Sequence, residues 1–389
     1  MAGPAKTTWR LMISSLALGL IPHAGAAGEA APSGLIIPIS QTVMHDGTIR
    51  YSIWVKVGHR TVEAMLDTGS AGLRVLPPVV PGDLTGLPTE ATYDNGVRLK
   101  GLSVPIGVEI GALSGTVPVE VVDKPECDAT EANCPVSKHG GTFLIGGDGL
   151  SGHGYSAILG IGFSERSPDV PNPLEALGAG QWMVELPSPD DPSATGRLVL
   201  KPDAAAQAGF KMAPAVKGGD FFGCLQTKKP EQMICGPLLL DTGAPSIMAV
   251  TQDTETSEIW PKGRAANFRF RSGQTLSFDT GGAGDMSQVR IVPAKQRPKL
   301  GDSFILAGLF PYYFYDVLYD AAAHKVGLKE RDKPAREAAA PARQAAAETP
   351  AAMEQPPAKP AVEAPLLKAA PGKPEGPREL PPQDTANTP

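Results

Sequence analysis

Two short segments of this chain carry the same three residues in the same setting. Ala64-Met-Leu-Asp67-Thr68-Gly69-Ser70 passes into Ala71-Gly-Leu-Arg-Val-Leu76, and Leu238-Leu-Leu-Asp241-Thr242-Gly243-Ala244 passes into Pro245-Ser-Ile-Met-Ala-Val250. In both, an apolar run enters Asp-Thr-Gly and another leaves it. One such triplet says little, because Asp and Gly are ordinary turn residues. Two copies 174 positions apart, about one domain, form an internal repeat. Each copy is later followed by two apolar residues and a glycine, Ile158-Leu159-Gly160 and Leu306-Ala307-Gly308. A third triplet begins at Asp279, but Gly282-Ala-Gly-Asp follows it instead of an apolar run, and it is read as a hairpin turn.

The repeated triplet has a chemical use. A carboxylate sits on a tight loop at the base of a cleft. Its glycine lets another backbone come close, and the glycine N–H can donate to the carboxylate. The threonine hydroxyl can bond across to the twin loop. Two carboxyls held in contact cannot both ionise easily and share one proton. The charged partner can then take a proton from water while the neutral partner donates one to a carbonyl, which hydrolyses a peptide bond without metal or covalent intermediate.

The elements that must hold these loops read as β. Tyr51-Ser-Ile-Trp-Val-Lys-Val, Val104-Pro-Ile-Gly-Val-Glu-Ile, Thr116-Val-Pro-Val-Glu-Val-Val and Arg197-Leu-Val-Leu are short, partly alternating and bounded by Gly, Pro, Asn or Asp. Helical pattern is scarce: a turn or two over Pro173-Leu-Glu-Ala-Leu177 opened by Asn172, and another over 204–208 opened by Asp203. The expected class is all-β.

The ends come away from this body. Lys6 and Arg10, the apolar run Leu11 to Ile21 and then Ala24-Gly25-Ala26 form the pattern of a secretory signal peptide over residues 1–26. Residues 331–389 hold 13 Pro and 16 Ala with no Trp, Tyr, Phe or Cys, a composition expected to stay disordered. Between them no other apolar run reaches membrane length, so no membrane span is expected in the mature form. That middle part has 25 basic against 33 acidic residues, which argues against nucleic acid as a partner. Its four cysteines fall in two couples, Cys127/Cys134 and Cys224/Cys235. Local pairing is the simplest of three connectivities in an exported chain, and a zinc site is the competing reading.

With the twin loops and strands in place, the chain resembles the pepsin-like, bilobal aspartic proteases. Tyr51 to Gly58 and Thr61 to Leu66 are similar to the hairpin leading into the family's first catalytic loop. Ala157 to Phe163, Pro173 to Leu177, Trp182 to Leu186 and Gly196 to Leu200 follow in the family's order, as does Asp302 through Leu328 at the end. The resemblance spans roughly residues 35 to 330. It implies a two-lobed fold with a cleft between an N-terminal lobe (27–200) and a C-terminal lobe (201–330). It implies catalytic Asp67 and Asp241, supported by Thr68, Gly69, Ser70, Thr242 and Gly243. It also implies a small disulfide at Cys224 and Cys235, no metal or cofactor, and a monomer that cuts protein or peptide substrates in the periplasm or outside the cell. Tyr93, before the turn-forming Asn95-Gly96, matches the family's flap tyrosine.

The chain departs from the family pattern at three places. Arg74 stands where the family has an aromatic residue behind the flap tyrosine. Ala244 lacks the hydroxyl that Ser70 offers near the other aspartate, which should raise the pair's proton affinity and give a mildly acid to neutral optimum. No basic prosegment precedes the first matched strand. Other hydrolytic patterns are missing: there is no His-Glu-x-x-His helix, and Gly149-Leu-Ser151-Gly-His153 does not complete a nucleophile elbow. Carboxyls in contact leave too little room for a glycosidase pair. The rival reading is a catalytically silent binding or inhibitor protein of the cell envelope on the same fold.

Overall fold

The computed structural model describes residues 35–331, apart from 78, 190, 192–193 and 229–230. The expected signal peptide, and the expected tail beyond its first residue, lie outside the described residues. The chain is mostly β, with 51% strand against 8% helix, so the class is all-β.

The strands in chain order are β1 (Leu35–Val43), β2 (Ile49–Val57), β3 (Arg60–Asp67), β4 (Ala71–Val75), β5 (Leu87–Thr92), β6 (Val97–Ile110) and β7 (Leu113–Cys127). They continue with β8 (Ala157–Ile161), β9 (Gln181–Glu185), β10 (Gly196–Leu200), β11 (Lys211–Pro214), β12 (Phe221–Lys228), β13 (Glu231–Leu240) and β14 (Ile247–Thr251). The last are β15 (Glu258–Ile259), β16 (Ala265–Phe270), β17 (Thr275–Asp279), β18 (Val289–Pro293), β19 (Phe304–Gly308), β20 (Tyr315–Asp320) and β21 (Lys325–Glu330). They form a 13-stranded sheet in the order β11-β21-β20-β9-β10-β1-β2-β3-β8-β4-β7-β6-β5 and an 8-stranded sheet in the order β15-β18-β14-β19-β13-β12-β16-β17. Thus β11, β20 and β21, all after residue 200, join the first sheet.

Alternation decides which side chains go inward. In β6, Val104, Ile106, Val108 and Ile110 are buried while Pro105, Gly107 and Glu109 face out. In β16, Ala266, Phe268 and Phe270 do the same. One continuous core runs through both sheets and includes Tyr51, Trp182, Phe221, Tyr312 and Tyr319. The helices are short. The expected turn after Asn172 is α2 (Pro173–Ala176), and the Asn172 side chain accepts from Leu174 N at 2.8 Å; α1 (Pro135–His139) precedes it. Residues 204–208 form turns, with Asp203 accepting from Ala206 N.

The repeat seen in the sequence recurs in the topology. β3 runs parallel to β8, with Asp67 opposite Gly160, and β4 returns antiparallel to β8 and parallel to β7. In the second sheet β13 runs parallel to β19, with Leu240 opposite Gly308, and β14 returns antiparallel to β19 and parallel to β18. Each arrangement has a small apolar cluster on the face turned from the main core. Met65 and Ile158 lie in one, Leu239 and Leu306 in the other, each two positions before the Asp or Gly that follows.

The third triplet departs from the expected hairpin turn. β17 is an edge strand paired with β16, and the next strand, β18, pairs with β14 on the other side of the sheet. Asp279 therefore opens a crossover. Thr280 is buried there, accepting from Arg264 N and donating to Pro261 O. The cysteines pair locally, Cys127 with Cys134 and Cys224 with Cys235, so the zinc reading loses its ligands. Among the described residues no helix is long and apolar enough to cross a membrane.

Candidate active site

Asp67 ends β3 and Asp241 follows β13, so each strand delivers one carboxyl to the same point. The two triplets lock together. Thr68 Oγ1 donates to Leu240 O at 2.9 Å and accepts from Thr242 N at 3.0 Å. Thr242 Oγ1 donates to Leu66 O at 2.7 Å and accepts from Thr68 N at 3.1 Å. The four bonds are reciprocal, and both threonines are fully buried. Water cannot compete for these groups, so separating the loops would leave each of them unsatisfied.

The glycines set the separation. A Cβ on Gly69 would stand 2.3 Å from Asp241 Cγ, and one on Gly243 would stand 2.9 Å from Asp67 Oδ1. Any side chain at Gly69 would occupy the space of the opposing carboxyl. The two acids are in direct contact, and their side chains share a hydrogen bond. Burial, and after it the Asp67 charge, push the Asp241 carboxyl well above the usual carboxylate range.

The two carboxyls are not equally supported. Asp67 accepts from Gly69 N at 2.8 Å, Ser70 N at 3.3 Å and Ser70 Oγ at 2.6 Å. Asp241 accepts from Gly243 N at 2.7 Å, and Ala244 adds no hydroxyl. Donors favour the charged form, so Asp67 is the better supported of the two as a carboxylate.

Below the loops is a buried polar brace that the sequence reading missed. Arg166 Nη1 donates to Thr68 O at 2.9 Å, and its Nη2 pairs with Asp220 at 2.7 Å. Asp220 Oδ2 accepts from Leu240 N at 2.8 Å, one residue before Asp241. Tyr312 OH donates to Thr68 Oγ1 at 2.9 Å and meets Tyr319 OH at 2.9 Å. The brace thus grips the backbone of both loops. Its members are isolated polar residues far apart in the chain, and no local pattern marks them.

Tyr93 sits between β5 and β6, at the head of the expected turn: its N–H donates to Val97 O, and Gly96 N donates back to Tyr93 O. Its hydroxyl is buried near Arg74, Asp67 and Ser70, and burial pushes its pKa up to about 12. Arg74 faces inward, paired through Nε with Glu120 at 2.7 Å and bonded to Ala71 O and Ser167 Oγ. Arg74 is therefore half of a buried ion pair. The turn also touches the other sheet's elements: Arg297 pairs with Glu131 at 2.8 Å and donates to Asp94 O at 3.4 Å. Cys127–Cys134 closes the loop bearing Glu131, whereas Cys224–Cys235 links β12 to β13.

A groove of about 1050 Å³ lies elsewhere, against Val80, Leu84, Leu102 and Val121, and includes neither aspartate. The paired carboxyls of the two Asp-Thr-Gly loops lie outside that groove. No family model and no curated protein matches the chain.

Proposed function

We propose that this chain is an aspartic endopeptidase of the pepsin-like, bilobal kind, with Asp67 and Asp241 as its catalytic pair. The observation that carries the reading is the reciprocal locking of two Asp-Thr-Gly loops with their carboxyls in contact. In this reading the Asp67 carboxylate takes a proton from a water as its oxygen attacks the peptide carbonyl carbon. Asp241 gives its proton to the carbonyl oxygen. The C–N bond of the tetrahedral intermediate then breaks: Asp67 passes its proton to the leaving nitrogen, and Asp241 recovers one from the diol. The lobes would be 27–200 and 201–330, with an extended substrate between them. Tyr93, with the turn that carries it, would close over that substrate.

The raised Asp241 carboxyl supports a mildly acid to neutral optimum. Activity needs Asp241 protonated, so a raised pKa extends the alkaline limb upward. The two disulfides suit an oxidising compartment, in keeping with export to the periplasm or beyond. The test is cleavage of a peptide library by the wild type but not by Asp67→Asn or Asp241→Asn, with block by a statine-type inhibitor. No cleavage across a broad library and pH range would sink the reading and leave the binding or inhibitor protein.

A further inference from the structure

Three arginines reach into the interior around the paired loops, and one is unlike the others. Arg74 contacts Glu120 and Arg166 contacts Asp220, each at 2.7 Å. Arg50, on β2, has no carboxylate oxygen within 4 Å among the described residues. Its Nη1 donates to Gly243 O at 2.8 Å, across 193 residues of sequence, and its Nε donates to Gly146 O at 3.2 Å. Carbonyls satisfy the N–H groups but carry no net charge. The guanidinium is half-buried and touches no carboxylate among the described residues, and a charge drawn out of water draws on the charges around it. Gly243, which Arg50 holds, is also the residue whose Cβ would stand 2.9 Å from Asp67 Oδ1 and 3.1 Å from Asp241 Oδ1.

We infer that Arg50 is the counter-charge of the paired aspartates: a positioning residue that anchors the second loop and stabilises the singly ionised pair. The inference rests on the reading of Asp67 and Asp241 as one coupled pair. One positive charge beside the pair favours the form with one negative charge over the form with none. Burial pushes the Arg50 pKa down, and the charges that pull it back are Asp46, Asp241, Tyr155 and Asp67.

Other groups act on the pair from the remaining elements. Asp94 on the β5–β6 turn raises Asp241. Arg74 and Tyr93 face Asp67. Arg166 lies beneath Asp241 and is neutralised by Asp220. Arg74 is neutralised by Glu120 in the same way, so Arg50 supplies the cation that no other side chain cancels by contact.

The experiment compares pH profiles of kcat/KM for the wild type, Arg50→Lys and Arg50→Gln, with Arg50→Met as a second neutral variant should Gln fail to fold. Carboxyl titration is followed in parallel by carbon-13 NMR of labelled aspartate, assigned with Asp67→Asn and Asp241→Asn. Loss of the cation should move the acid limb and the first carboxyl titration up by about one pH unit. Below the limb this is a roughly tenfold loss of rate, with the plateau changed only a few-fold. Lys should keep both near the wild-type position. An equal loss at every pH, or an unmoved titration in the neutral variants, would overturn the inference. If the wild type cleaves no peptide, the titration decides alone: an upward shift sustains the counter-charge while the protease reading falls.

Discussion

The loop around Asp67 and the loop around Asp241 share a triplet, a strand arrangement and a reciprocal set of threonine bonds, yet they hold their carboxyls differently. Asp67 has three donors and Asp241 has one. Thr68 Oγ1 has three partners, whereas Thr242 Oγ1 has two. Gly69 is pressed against the opposing carboxyl more tightly than Gly243 is. The lesson is that a repeat can supply symmetry of position while a few side chains break the symmetry of charge. Acid–base chemistry needs that break, because one carboxyl must accept a proton while the other gives one.

The largest test removes one member of the pair. Asp67→Asn and Asp241→Asn should each lower kcat about 10⁴-fold or more, with folding retained by circular dichroism. Substantial residual activity after either change would mean the pair does not act as a unit. Next, the glycines should separate the loops. Gly69→Ala puts a methyl into Asp241 and should cost about 3 kcal/mol of stability or prevent folding, while Gly243→Ala should cost less. Thermal melts that rank them the other way would contradict the tighter packing at Gly69.

The threonines give a smaller effect in the same direction. Thr68→Val strands Leu240 O and Thr242 N and takes one of two partners from Tyr312 OH, so it should cost about 2–3 kcal/mol. Thr242→Val strands two groups and should cost about 1–2 kcal/mol by chemical denaturation. The smallest changes tune charge. Ser70→Ala makes the first loop like the second and removes a donor to the charged form of Asp67. The acid limb of the pH–rate profile should rise by up to about one unit. Ala244→Ser adds a donor near Asp241, favours its charged form and should lower the alkaline limb. Profiles that move in the same direction for both changes would remove the assignment of charge to Asp67 and proton to Asp241.

Much of this was legible in contiguous residues. The alternation in β6, the capped turn at Asn172 and the local cysteine couples follow from short-range geometry, and so does the entry of an apolar strand into each Asp-Thr-Gly. The difference between Ser70 and Ala244 was also visible, and with it the direction in which the pair is tuned. The third triplet was misread as a hairpin because its turn chemistry is genuine: only the pairing of β18 with β14 shows that the chain leaves that edge of the sheet.

The amino-acid sequence by itself determined that two like carboxyl loops exist, that strands carry them, and that glycine must stand beside each acid. Tertiary structure alone decided which other charges reach them. Arg50 meets Gly243 across 193 residues, Arg166 meets Asp220 across 54, and Tyr312 meets Thr68 across 244. No periodicity connects such positions. They meet because two sheets pack through one core, and burial then makes each meeting matter, since a charge or hydroxyl shut away from water must find its partner inside the protein.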